Sequence, residues 1–106
     1  MGYDLHITRR ENWWDREGEH IRAVEWDAAV TADPCLVAVP LPEGCQERVA
    51  ETVLWRNGKP YGEALWWRAG RVVAKHPSDA LVVTMCRLAK ALEARVQGDD
   101  GEYYDM

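Results

Sequence analysis

The sequence of 106 residues has no phenylalanine, no long apolar run and no closely spaced pair of cysteines. A membrane-spanning helix needs roughly 20 consecutive apolar residues, so we expect no association with a membrane. The first residues, MGYDLHITRRENWW, lack the apolar core of a signal peptide. Cys35, Cys45 and Cys86 predict neither a disulfide framework nor a metal or redox pair. We therefore predict a cytoplasmic protein with reduced thiols.

The sequence also lacks a cluster of basic residues interleaved with aromatic ones, which nucleic-acid binding usually requires. The net charge is −5, and acidic residues outnumber basic ones in residues 1–34 and again in residues 98–106. Acidic surface of this kind attracts a basic protein and repels the phosphate backbone. We expect a basic protein partner and no nucleic acid.

Motifs for catalysis and for metal binding are absent as well. The three histidines, His6, His20 and His76, do not have the HxxxH or HExxH spacing of common zinc sites. There is no nucleophile elbow and no glycine-rich phosphate loop. The sequence therefore gives no catalytic residue, metal or cofactor, and it favours a protein that is not an enzyme.

The composition predicts a single domain over residues 1–106, because single hydrophobic cores typically occupy roughly 100–150 residues. In HPSDALVVTMCRLAKALEA, apolar side chains recur at helical spacing, which predicts a long C-terminal helix over about 78–93. A shorter helix is predicted over about 22–33, where Pro34 ends it. The other apolar segments predict an antiparallel sheet of about four to six strands, and thus an α+β fold.

Alternation of apolar and polar residues predicts a first strand in Tyr3-Asp4-Leu5-His6-Ile7-Thr8. We expect Tyr3, Leu5 and Ile7 to face the core and His6 to lie exposed or half-covered. Further along, Asn57-Gly58 and Ala69-Gly70 predict hairpin turns.

The segment GDDGE near the end of the sequence is consistent with a metal loop, a pair of catalytic acids or a simple turn. It lacks the ligand spacing and the length of an EF-hand. Asp100-Gly101 matches a hairpin-turn dipeptide, so we predict an acidic turn followed by a last short strand.

The sequence contains six tryptophans, Trp13, Trp14, Trp26, Trp55, Trp66 and Trp67. Adjacent residues in a strand point to opposite faces, so one of Trp66 and Trp67 leaves the core. Tryptophan is enriched at binding hot spots, and Trp13 and Trp14 lie in a polar segment, where they either cover the core or contact a partner. The candidate partner-binding residues are Trp13, Trp14, Asp15, Glu17, Glu19, Trp66, Asp99, Asp100 and Glu102.

Both ends of the sequence, GYDLHITRRENWW and ALEARVQGDDGEYY, resemble a family of small uncharacterised bacterial proteins that open with YDLHITR and end with VQGDDGE. The resemblance covers about a third of the chain. Members look like immunity proteins, which are small acidic proteins that neutralise a toxin by occluding it. The resemblance implies no catalytic residues.

The first hypothesis is therefore a non-enzymatic acidic protein-binding domain of immunity type. One alternative is a small-ligand-binding or catalytic domain, in which Asp4, His6 and the acidic turn meet beside a tryptophan-walled pocket and His6 pairs with Asp99. The other alternative is a homodimer that buries an apolar face of the sheet.

Overall fold

The computed structural model describes residues 3–52, 54–56, 59–61 and 63–104. They form an α+β domain, as predicted, with two helices and nine strands. The elements in chain order are β1 (Leu5–Thr8), α1 (Ala23–Ala32), β2 (Leu36–Val39), β3 (Arg48–Thr52), β4 (Leu54–Arg56), β5 (Lys59–Tyr61), β6 (Ala64–Arg68), β7 (Arg71–Ala74), α2 (Asp79–Ala91), β8 (Arg95–Gly98) and β9 (Tyr103–Tyr104).

Seven strands form one antiparallel sheet in the order β2-β3-β6-β7-β1-β8-β9, and β4 pairs with β5 in a separate ribbon. The predicted number of four to six strands was too low.

The hairpin turn predicted at residues 57 and 58 lies outside the described residues, whereas Ala69-Gly70 does form a turn, with positive φ at both positions. The first strand of the sequence occupies an interior position, between β7 and β8.

Helix α2 is shorter than the predicted 78–93, because capping residues flank it on both sides. Ser78 is the N-cap, and its hydroxyl accepts a hydrogen bond from the backbone N–H of Leu81. At the other end, Glu93 adopts a φ of +54°. The N–H of Ala94 then bonds to the carbonyl of Ala89 at 2.7 Å, as in a Schellman motif. The predicted apolar stripe is buried: Leu81, Met85, Leu88 and Leu92.

Helix α1 covers Ala23–Ala32 rather than the predicted 22–33, since Arg22 and Asp33 are its caps. Asp33 also links the two helices. Its carboxylate accepts two hydrogen bonds from Arg87 of α2, at 3.0 and 3.1 Å. The helices thus share one face of the sheet, where Trp26, Ile7 and Leu65 are among the buried core side chains.

The opposite face of the sheet contains one row of residues that crosses all seven strands. Directly opposed residues of paired antiparallel strands point to the same face. The strand registers place on this row Val39, Val49, Trp66, Val73, His6, Gln97 and Tyr103.

The exposure predicted for residues 3–8 was wrong for two residues. His6 is only 5% exposed, although it points away from the helices, and Tyr3 is 38% exposed rather than buried. Because β1 is an interior strand and residues 9–20 fold back over it, the strand is covered on both faces. A period-two pattern identifies the face that packs on the helices, but it does not show what covers the other face.

Candidate functional site

Residues 9–20, here called the covering loop, contain no helix or strand and lie over the face of the sheet that contains His6. Gln97, which is fully buried, holds the loop in place. Its Oε1 accepts a hydrogen bond from the N–H of Trp13 at 2.6 Å. Its Nε2 donates to Asn12 Oδ1 at 3.0 Å and to the carbonyl of Gly101 at 2.9 Å. One amide therefore joins the loop, strand β8 and the acidic turn.

The ring of Trp13 lies flat on the imidazole of His6, with centroids 4.0 Å apart and 5° between the planes. On its other side, His6 Nε2 is 2.9 Å from Asp99 Oδ1. The second carboxylate oxygen of Asp99 accepts a hydrogen bond from the N–H of Asp4 at 3.0 Å. Asp4, His6 and the acidic turn thus lie together, at the interior strand β1 and beneath Trp13 rather than beside an open pocket.

Burial lowers the pKa of His6, and the bond to Asp99 offsets only part of that effect. The pKa of Asp99 is lowered chiefly by its hydrogen bond with His6, and further by the N–H of Asp4. These directions agree with a neutral imidazole that donates its Nε2–H to a carboxylate. The other nitrogen, Nδ1, then has a free lone pair, and it is buried without a hydrogen-bond partner among the described residues.

A histidine oriented by a carboxylate has the arrangement of a general base. Here, however, the nitrogen that would accept a proton is inaccessible to solvent, and Trp13 covers the ring. A substrate would reach it only after the covering loop had moved. In this arrangement the His6–Asp99 pair holds Trp13 and the acidic turn in position.

The acidic segment forms the predicted turn between β8 and β9. The N–H of Gly98 bonds to the carbonyl of Glu102 at 2.8 Å, and the N–H of Gly101 bonds to that of Gly98 at 3.0 Å. Tyr3 braces this turn: its hydroxyl donates to the Glu102 carboxylate and accepts from the N–H of Asp100. Partial desolvation and the bond to Glu102 raise the pKa of Tyr3 to about 12.

Trp14 lies beside this turn and is 48% exposed. Its ring packs over Gly101, where φ is +91° and a Cβ atom would lie only 3.0 Å from the ring, so that glycine alone fits without strain. Trp13 and Trp14 are arranged edge to face, with centroids 5.6 Å apart. The two adjacent tryptophans therefore have different roles, since Trp13 covers the sheet and Trp14 faces solvent.

The other predicted site residues are divided between this region and its surroundings. Glu17, Glu19, Asp100 and Glu102 are exposed, whereas Asp15 is half-buried and accepts a hydrogen bond from the N–H of Asn12 at 2.9 Å. Trp66 is 39% exposed and lies two strands away from His6 on the same face. Trp67 points to the helix face, as the alternation predicted, and its Nε1–H donates to the carbonyl of Ile21.

Sequence reasoning missed four residues that shape the region: Gln97, Arg10, Arg71 and Tyr103. Arg71 donates to the carbonyl of Trp13 at 2.6 Å, and the Tyr103 hydroxyl donates to that of Glu11 at 2.8 Å. A polar glutamine within the apolar context of β8 was the one available signal, because a buried amide needs partners.

Within the described part of the chain, no three His, Cys, Asp or Glu side chains converge in a way that could hold a metal ion. Likewise, no helix in the described ranges is both long and apolar enough to cross a membrane. Comparisons with protein-family models, curated proteins and solved structures gave no match to this chain.

Proposed function

We propose that this chain is an acidic protein-binding domain that recognises a basic protein through Trp14 and the acidic turn. The observation that carries the proposal is the position of Trp14. A large apolar side chain, 48% exposed, is held on Gly101, next to the exposed carboxylates of Asp100 and Glu102.

This arrangement suits recognition of a protein. Exposed tryptophans are common anchors at the centre of interfaces, where they fill a pocket of the partner. Carboxylates around the anchor raise the rate of association with a basic partner and suppress encounters with acidic ones. Hydrogen bonds from Gln97 and Tyr3 hold the covering loop and the acidic turn in place before binding, so less entropy is lost when a complex forms.

The same geometry argues against a ligand pocket at His6. The imidazole is 5% exposed, and Trp13 occupies the space that a planar ligand would need. The resemblance to immunity proteins supplies the kind of partner that we propose, a toxin that the domain occludes. A partner of that kind is blocked sterically, so the mechanism requires no catalytic residue.

The test is co-purification from the native host with four tagged forms of the chain. Wild type and the control Val24→Ala, on the exposed face of α1, should retain one stoichiometric basic protein. Trp14→Ala should lose it, and Asp100→Asn should bind it more slowly and with a weaker dependence on salt. Circular dichroism would establish that each variant is folded.

Equal retention of a partner by Trp14→Ala and by the control would contradict the proposed anchor. Failure of the wild-type chain to retain any stoichiometric protein at low salt would contradict the proposed function itself.

A further inference from the structure

A concavity of about 360 Å³, lined in part by Trp14 and by no residue of the acidic turn, lies between the covering loop and the β6–β7 turn. We call it the arginine pocket. It is distinct from the acidic turn in both position and charge. The side chains that line it include Arg10, Arg16, Arg71, His20, Trp14 and Asp15.

The pocket concentrates positive charge in a protein whose net charge is −5. In the part of the chain that the structure describes, no carboxylate forms an ion pair with any of its three arginines. Asp15, the acidic residue of the lining, bonds instead to a backbone N–H of the loop. The positive charge in the pocket is thus uncompensated by close contacts.

Arg10 is a fixed part of the wall. It is 6% exposed, and its guanidinium donates to the carbonyls of Asp15 at 2.8 Å and Ala69 at 3.1 Å and also contacts His20. Its Nε is buried without a partner among the described residues. The guanidinium of Arg10 is fixed by these bonds, so the positive potential that it supplies does not depend on side-chain motion.

Arg71 has N–H donors that form no hydrogen bond within the described residues. One of its nitrogens is bonded to the carbonyl of Trp13, and its guanidinium lies 5.6 Å from the centre of the Trp13 ring. The contact with the Trp13 ring orients the Arg71 side chain, and the hydrogen bond to the Trp13 carbonyl uses only one of its N–H groups. Burial lowers the pKa of Arg71, and the charges of Arg10 and Arg68 lower it further. A nearby anion would relieve this repulsion between like charges.

Arg16 is exposed, and the structure shows no bond to its guanidinium within the described residues. It stands at the rim of the same pocket. Two arginines with free donors, one held by Trp13 and one exposed, can hold an oxyanion in bidentate fashion. The half-exposed ring of Trp14 provides an apolar wall beside them.

We propose that the arginine pocket binds the carboxylate or phosphate group of a small organic anion, whose apolar part lies against Trp14. Arg71, which is held by Trp13, and Arg16 donate to the oxyanion, and the buried Arg10 in the wall adds positive potential. The site shares the Trp14 ring with the proposed partner surface but is lined by no residue of the acidic turn, and it does not rest on the proposed protein partner.

The experiment is a titration of the full chain with benzoate, phenyl phosphate and inorganic phosphate, at a constant ionic strength maintained with chloride. Two-dimensional ¹H–¹⁵N NMR would follow the indole N–H of Trp14 and the N–H signals of the arginines. We expect saturable shifts at these groups, with a dissociation constant of about 1 mM or tighter for at least one aromatic anion. Benzoate and phenyl phosphate distinguish a carboxylate from a phosphate ligand, and inorganic phosphate measures binding without the apolar part.

Three variants make the test specific. Arg71→Lys keeps the charge but loses the planar fork, and Arg16→Gln removes a side chain that has no described bond. Each should weaken binding by about tenfold or more, as expected for loss of a charged hydrogen bond. Lys75→Gln removes one exposed positive charge elsewhere and should change the affinity by less than about twofold.

Because Arg16 has no described role in the fold, Arg16→Gln remains informative even if a change at Arg71 disturbs the covering loop. The proposal is overturned if no probe gives saturable shifts in the wild type. It is also overturned if Arg16→Gln and Lys75→Gln weaken binding equally, because that result would show attraction to net charge alone.

Discussion

Protonation of His6 should destabilise the fold as the pH falls from 7.5 to 5.5. Burial holds the pKa of His6 below its ordinary value of 6.5. In that range the unfolded chain takes up a proton that the folded chain does not. The contribution of His6 to stability is therefore complete above pH 6.5 and is lost progressively as the pH falls toward the lowered pKa of the folded state.

The size of the effect follows from linkage. One proton taken up only by the unfolded state lowers the free energy of unfolding by at most about 1.4 kcal/mol per pH unit. Burial of His6 and the absence of an acceptor for a proton on Nδ1 among the described residues set the sign of the slope, and the bond to Asp99 keeps its size below that limit because it raises the pKa.

The assay is urea denaturation followed by far-ultraviolet circular dichroism, at half-unit steps of pH. His6→Phe keeps a ring that can stack on Trp13 but cannot titrate. We expect it to be less stable at pH 7.5 by about 1–2 kcal/mol, the lower part of the range for a charged hydrogen bond, since the side chain of Asp99 is 35% exposed. Its stability should vary less between pH 7.5 and 5.5 than that of the wild type.

The control is His76→Asn, which removes an exposed histidine outside the cluster and should follow the wild-type profile. Parallel profiles for wild type and His6→Phe would refute the reasoning, because they would mean that the fold does not resist protonation of His6.

Three further changes should have defined effects. Gly70→Ala should lower the free energy of unfolding by about 2 kcal/mol in urea denaturation, because φ is +84° and a Cβ would lie 2.8 Å from the Cβ of His20; an unchanged midpoint would contradict this. Arg87→Ala should cost about 2 kcal/mol in the same assay, since it leaves the buried carboxylate of Asp33 without its bidentate partner. Glu25→Gln should destabilise the fold mainly above pH 4.5, because hydrogen bonds from two arginines lower the pKa of Glu25 to about 2. The difference in stability between this variant and wild type should therefore shrink between pH 4.5 and 2 in acid denaturation. A constant difference would disprove the assignment.

Local signals in the sequence predicted the elements whose structure depends on neighbouring residues. Helix α2 has its cap at Ser78 and its apolar stripe, and the turn at Gly101 has its dipeptide, so both could be predicted within a few residues. The number of strands was underestimated because strand pairing in this sheet joins distant segments. Nothing near Leu5 indicates that it pairs with Ala74 and with Gly98.

The candidate site was predicted only in part, because its contacts also join distant segments of the chain. One alternative paired His6 with Asp99, and the two side chains lie 2.9 Å apart. It did not predict that Trp13 would cover them, because residues 9–20 form no periodic element whose direction could be inferred. Contacts made by an irregular loop depend on the whole fold, so neither the burial of His6 nor the role of Gln97 was predictable from local pattern.

The interior position of β1 has a consequence for the order of folding. Residues 5–8 find their partners only in residues 71–74 and 95–98, so a growing chain holds Leu5 and Ile7 without their strand partners until most of the domain has been synthesised. Closing so long a loop is entropically costly and slow compared with forming local hairpins. Completion of the central sheet should therefore follow synthesis of β8, and nascent chains that stop before residue 95 should remain open to proteolysis and to capture by chaperones.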